Sequence, residues 1–250
     1  MPSVDQVPGW AGAPASVDRA PRSGRGGRDR ASGREIAVGA ALVAVVMAGA
    51  FYFAVRPRST SFDRWIFAAL PDIGRSALTS ITWFSRPAVI IVGPVVLAVL
   101  VYRRDRPRSI ACLIGPILAL STSELVMKPA VGRTLGGALT YPSGSTVGAA
   151  ALATAAVLAT PVRWRVVAAV LAAAYTSWMA LAVVALRWHF PTDAVAGVLY
   201  GLGVVLLIDG LAWRLLHRVR PRGPDREVRP VGVPPPGRRV GEPPIGEPVG

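Results

Sequence analysis

The sequence predicts an all-α fold, a polytopic transmembrane helical bundle of about six spans, and three observations carry that expectation. Hydrophobic residues fill 52% of the 250 positions and charged residues only 17%, with a mean hydropathy of +0.45. That is too little charge to cover a soluble surface. The apolar residues are gathered into long runs of Ala, Val, Leu and Ile, as a hydrocarbon solvent demands. The arginines stand in the tails and in short segments between the runs, where a membrane protein carries its topological signal.

Residues 1–34 are rich in Gly, Pro, Ser and Arg without periodicity, which predicts a disordered basic arm. The first apolar run, Ile36–Val55, has 20 residues and reaches about 30 Å as a helix, the thickness of the hydrocarbon core. A linker follows to about Arg86. In it Phe62, Trp65, Ile66, Ala69 and Leu70 fall at helical spacing, which favours an interfacial amphipathic segment over a seventh span. The remaining spans are Pro87–Tyr102, Ile110–Met127, Ser145–Pro161, Val166–Leu186 and Asp193–Leu211. Gly197 and Gly201 give the last span a small-xxx-small spacing suited to close helix packing. The transmembrane domain therefore covers 36–212, and the Pro-, Arg- and Gly-rich stretch 213–250 reads as a disordered tail.

Orientation follows from the loops. Arg103, Arg104, Arg106 and Arg108 separate spans two and three, Arg163 and Arg165 separate four and five, and Arg214, Arg218, Arg220 and Arg222 follow span six. With six spans these share one side with the arginine-rich N-terminal arm. That side is expected to be the cytoplasmic face of a plasma (inner) membrane. The linker arginines 56, 58, 64, 75 and 86 run against the rule, weakly, because the segment is long. The same distribution argues against nucleic acid as the reason for a net charge of +14, since no basic stripe interleaves with aromatics. The single cysteine, Cys112, lies in an apolar run and excludes an intramolecular disulfide.

The opposite side receives two short polar loops that hold the chemistry-bearing residues. One runs from Lys128, the only lysine, through Gly132-Arg133 to Pro142-Ser143-Gly144-Ser145 at the start of span four. The other is Arg187-Trp188-His189-Phe190-Pro191-Thr192-Asp193 at the start of span six. A His and an Asp four apart can hydrogen-bond so that the carboxylate fixes the imidazole tautomer. Ser143 and Gly144 open a helix whose backbone N–H groups and positive dipole end suit an anion. Blander roles compete: Lys128 can snorkel or pair with Glu124 one turn back, and Asp193 suits any helix start.

These fragments, in this order, resemble the type-2 phosphatidic acid phosphatase family, which shares a helical fold with vanadium haloperoxidases. The resemblance covers about residues 80–212 and rests on Lys128 with Gly132-Arg133, on Pro142-Ser143-Gly144, and on His189 through Asp193 to Gly197. It implies His189 as the nucleophile on phosphorus, Asp193 as its orienting partner, and a phosphate cradled by cations, with no metal or other cofactor. Lys128, Arg133, Ser143, Gly144, Ser145 and Arg187 are the phosphate-binding candidates. The implied partners are membrane lipids and a phosphorylated lipid substrate.

The departures are as informative. Where the family pattern has arginine seven residues after the lysine this chain has Leu135. Where it has histidine after Pro-Ser-Gly the chain has Ser145, and where it has arginine six residues before the nucleophile the chain has Val183. A missing general acid lowers a rate about 10²–10⁴-fold, and each missing electrostatic donor about 10²–10³-fold. Three classes of function remain: a lipid-phosphate or polyprenyl-diphosphate hydrolase with impaired turnover, a non-catalytic phospholipid binder or transporter, and a structural membrane protein on the same fold.

Overall fold

A computed structural model describes residues 23–70, 75–83 and 87–218. Its helices are α1 (Ser23–Val55), α2 (Ser61–Ala69), α3 (Arg75–Thr82), α4 (Pro87–Tyr102), α5 (Arg106–Thr122), α6 (Lys128–Val131), α7 (Gly144–Ala159), α8 (Arg165–Ala185) and α9 (Pro191–Arg218). Four stretches, in α1, in α5 with α6, in α8 and in α9, are long and apolar enough to cross a membrane. Two shorter apolar helices, α4 and α7, complete a bundle of six. Large apolar side chains such as Val95, Val99, Val166, Val170 and Leu171 point outward, which a bilayer permits and water does not.

Two expectations about the termini need correction. α1 starts at Ser23, where the sequence suggested disorder as far as residue 34. The extra turns are held by charge rather than hydropathy: Arg28 bonds Asp209 Oδ2 at 2.8 Å and Glu35 Oε1 at 3.3 Å, tying α1 to α9. Likewise α9 continues to Arg218, past the expected boundary at 212, and Trp213 Nε1 donates to Asp29 Oδ1 at 2.9 Å. Residues 1–22 and 219–250, on which the rest of those expectations fell, lie outside the described residues. In the linker, α2 and α3 have 9 and 8 residues and cannot span, so no seventh crossing forms there among the described residues.

α9 is the central post, packed against α1, α5 and α7. A Cβ on Gly197 would lie 2.0 Å from Thr146 Oγ1, and one on Gly201 would lie 2.4 Å from the Val147 carbonyl. Only hydrogen at these positions lets α9 press its backbone on α7. The helices alternate in direction, so the end of α5, the start of α7, the end of α8 and the start of α9 meet at one end of the bundle. The Arg28–Asp209 pair marks the other.

Candidate functional site

The polar end is built by chain terminators and one proline. After α5 the helix widens into a π-turn over Ser123–Met127. Pro129, two residues on, lacks an N–H and its ring crowds the carbonyl four residues back, which accounts for the widened turn. Gly132, at φ 65°, closes α6 with its N–H on the Lys128 carbonyl. The strands β1 (Thr134–Leu135) and β2 (Ala138–Leu139) then form a two-residue hairpin over Gly136 and Gly137, at φ 60° and 86°, the torsions a tight hairpin turn needs. The hairpin folds back so that the Thr140 N–H reaches the Arg133 carbonyl at 2.9 Å.

Arg133 is where the structure departs furthest from the sequence expectation. It was a phosphate-binding candidate, yet it is 0% exposed. Its Nη1 donates to Thr192 Oγ1 at 2.8 Å and, in a shorter contact, to Asp193 Oδ1; its Nη2 donates to Asp63 Oδ2 at 2.7 Å and the Arg58 carbonyl at 3.3 Å. The guanidinium is sandwiched between Phe53 and Phe190, 3.9 and 4.1 Å from their ring centres. Arg133 is a buried strut joining α1, α2 and α9, and no terminal nitrogen remains for phosphate.

The expected Asp193–His189 pair is also not formed. Asp193 Oδ1 is held by Arg133, and Oδ2 accepts the Phe190 N–H at 3.1 Å as a cap on α9, the blander role open to it. His189 instead places Nδ1 2.9 Å from the Thr140 carbonyl. A carbonyl only accepts, so Nδ1 carries the proton and the lone pair lies on Nε2. The tautomer of this imidazole is thus set by a backbone oxygen rather than by the carboxylate. Burial pushes the His189 pKa down to about 4, helped by the Lys128 ammonium and opposed by the Thr140 hydrogen bond.

Of the other candidates, Arg187 takes φ 59° and turns onto α2, donating to the Phe67 carbonyl at 2.7 Å over the Phe67 ring. Ser143 is the N-cap of α7. Its side chain makes no capping bond, and Oγ is buried with no partner among the described residues. Gly144 and the half-buried Ser145 follow on the first turn of α7. Lys128 reaches the same turn: a Cβ built on Gly144 would lie 3.6 Å from Lys128 Nζ and 1.8 Å from Glu124 Oε1. The structure therefore gathers Lys128, Ser143 and Gly144 at one helix start, with His189 within electrostatic reach of the lysine, ties Arg133 and Asp193 into a buried network, and turns Arg187 toward α2.

Asp63 and Thr140 were not singled out from the sequence. Asp63 is wholly buried and accepts from the N–H of Thr60 and from both the N–H and hydroxyl of Thr192, besides Arg133. Burial alone would raise its pKa, but these donors outweigh it and hold the carboxyl below the usual range. Its one sequence signal was Thr60-x-x-Asp63, a reciprocal helix cap that does form. Thr140 acts through its carbonyl and leaves no side-chain signal.

Residues 87–217 match the model of the PAP2 superfamily. Among solved structures, one described as the crystal structure of the first transmembrane PAP2 type phosphatidylglycerolphosphate phosphatase from Bacillus subtilis is similar in fold. It has a TM-score of 0.52 and 18% identity, over 72% of this chain and 98% of that one. No curated protein matches the chain in sequence.

Proposed function

Given that this membrane protein belongs to the PAP2 superfamily, we propose that it binds the phosphate of a phosphorylated lipid at one membrane surface and hydrolyses it slowly through His189. One observation supports the reading: a buried imidazole with Nδ1 tied to the Thr140 carbonyl, which leaves the lone pair on Nε2, within electrostatic reach of Lys128. Nε2 attacks phosphorus as the bond to the leaving oxygen breaks, giving a phosphohistidine. Water then displaces histidine and releases inorganic phosphate. With Ser145 in place of an imidazole acid, a leaving group that is already a stable phosphate anion suffers least, so a polyprenyl-type diphosphate is preferred over a phosphatidic acid.

A lipid substrate suits the surroundings. An apolar groove of about 650 Å³ runs between α7, α8 and α9, lined by residues such as Ala150, Ala173 and Leu202. It lies below the site on the helices that carry it, where a hydrocarbon chain hanging from a bound phosphate would pass. The arginine distribution favours cytoplasmic termini in a plasma membrane and an outward-facing site. Cysteine placed at Gly137 in a Cys112→Ala background is then expected to react with an impermeant thiol reagent on intact cells. Labelling only after permeabilisation reverses the orientation.

The test is phosphate release by purified protein from a panel of lipid mono- and diphosphates, beside His189→Ala. Wild type is expected to release phosphate and the variant none. Because the imidazole stays neutral down to about pH 4, the pH profile should stay flat from neutrality to about pH 5 and fall only as pH drops through about 4; an unperturbed histidine would lose activity near 6.5. Between those two values the unfolded chain binds a proton that the folded chain refuses. His189 therefore subtracts stability as the medium is acidified through that window. A second reading, a non-catalytic binder, is favoured by Leu135, Ser145 and Val183, and it predicts binding without release.

A further inference from the structure

An anion from the chain itself already lies against the first turn of α7. The π-turn at Ser123–Met127 turns Glu124 toward α7, and its two carboxylate oxygens lie 2.8 and 2.9 Å from Lys128 Nζ. On the other side the carboxylate lies so close to the α7 backbone that a Cβ on Gly144 would be 1.8 Å from Oε1 and 2.9 Å from Cδ. Glu124 thus sits between a lysine and the first turn of a 16-residue helix, the two features that make an anion seat. The N-cap Ser143 leaves that turn without a side-chain cap. A larger residue at 144 would push the Glu124 carboxylate aside, so the glycine is what lets it lie there.

We propose that Glu124 fills the phosphate seat at rest, that a lipid headgroup binds by displacing it, and that this displacement makes Glu124 a specificity-determining residue for headgroups with more than one negative charge. The inference rests on the reading that Lys128 and the α7 start form the phosphate site. A tethered carboxylate competes as an intramolecular ligand, with an effective concentration that no free monoanion matches at micromolar level. A phosphodiester headgroup carries the same single charge as the carboxylate and gains nothing by replacing it. A phosphomonoester or diphosphate brings extra charge to Lys128 and the helix end and wins. If the seat stands open about a tenth of the time, apparent affinity is lowered about tenfold.

The experiment measures binding of three soluble probes, inorganic diphosphate, inorganic phosphate and dimethyl phosphate, to the full chain in phosphatidylcholine nanodiscs. Wild type is expected to prefer them in that order. Glu124→Gln should tighten all three by roughly tenfold, and dimethyl phosphate proportionally most, so that the charge preference shrinks. Glu124→Asp keeps the charge but draws it back from Gly144, and it should move in the same direction as Glu124→Gln. Lys128→Ala should weaken binding in every background. If Glu124→Gln binds like wild type while Lys128→Ala loses binding, the seat is not occupied by Glu124 and the phosphate site itself stands. If Glu124→Gln tightens but Glu124→Asp does not, the effect is charge alone and the displacement is refuted. Equal binding across all variants, Lys128→Ala included, overturns the site as well.

Discussion

Arg133→Ala is expected to destabilise the fold severely rather than merely weaken a phosphate contact. The substitution strands two wholly buried carboxylates, Asp63 and Asp193, and removes the cation between the Phe53 and Phe190 rings. Removing one partner of a buried ion pair costs about 3–5 kcal/mol. For a chain of this size that corresponds to a fall in midpoint on the order of 10 °C. Arg133→Lys should recover little, because a single ammonium cannot replace the two-armed fork that reaches both carboxylates. Neutralising the partners together, as Asp63→Asn with Arg133→Met and Asp193→Asn, should restore a good part, since no uncompensated charge then remains inside. Thermal unfolding in detergent reads all three. An Arg133→Ala protein that melts like wild type and only loses phosphate affinity would return this residue to the binding site.

A gain in turnover is expected where the chain departs from its family. Ser145 follows Gly144 on the first turn of α7, and its hydroxyl donates a hydrogen bond but cannot deliver a proton near neutral pH as imidazole does. Ser145→His should raise phosphate release by about tenfold or more, short of the 10²–10⁴ that a fully positioned acid gives. The gain should be largest for phosphatidic acid, whose leaving alkoxide needs a proton, and smallest for diphosphates. Adding Leu135→Arg, at a half-buried site on β1, supplies a cation and should amplify the gain, because an acid helps only a phosphate that is held in place. The third departure is not a useful target. Val183 is wholly buried against Met179 and Ala194, and its carbonyl receives the Trp188 and His189 N–H groups, so arginine there would damage the turn that presents His189. Unchanged rates in a folded Ser145→His, Leu135→Arg double variant would favour the non-catalytic reading.

The helices were largely legible from hydropathy, because spans are uniform in chemistry and long compared with their boundaries. α4 starts and ends where the apolar run does, at Pro87 and Tyr102. The ends of α1 and α9 were misjudged because what holds them is a pair of charges, Arg28 and Asp209, 181 residues apart, and periodicity says nothing about such a contact. The site was legible in its parts and illegible in its wiring. The spacing of His189 and Asp193 suggested a pair, but each found a stronger partner from elsewhere in the chain: Thr140, 49 residues away, for one, and Arg133, 60 residues away, for the other. An arginine after Gly132 in a polar loop reads as exposed. Two buried carboxylates make its burial tolerable, Asp193 and Asp63, the latter from a helix 70 residues earlier. Glu124 was expected to pair with Lys128 and does; that the pair rests on the start of α7 required the fold.

The claim on which the function rests is that His189 Nε2 attacks phosphorus. The most direct measurement is to quench purified protein during turnover of a radiolabelled lipid diphosphate and look for label stable to alkali and lost in acid, as a phosphohistidine is. Label is expected on the peptide containing His189 and absent from His189→Ala. No trapped label on wild type, or phosphate release at the wild-type rate by His189→Ala, would contradict the account.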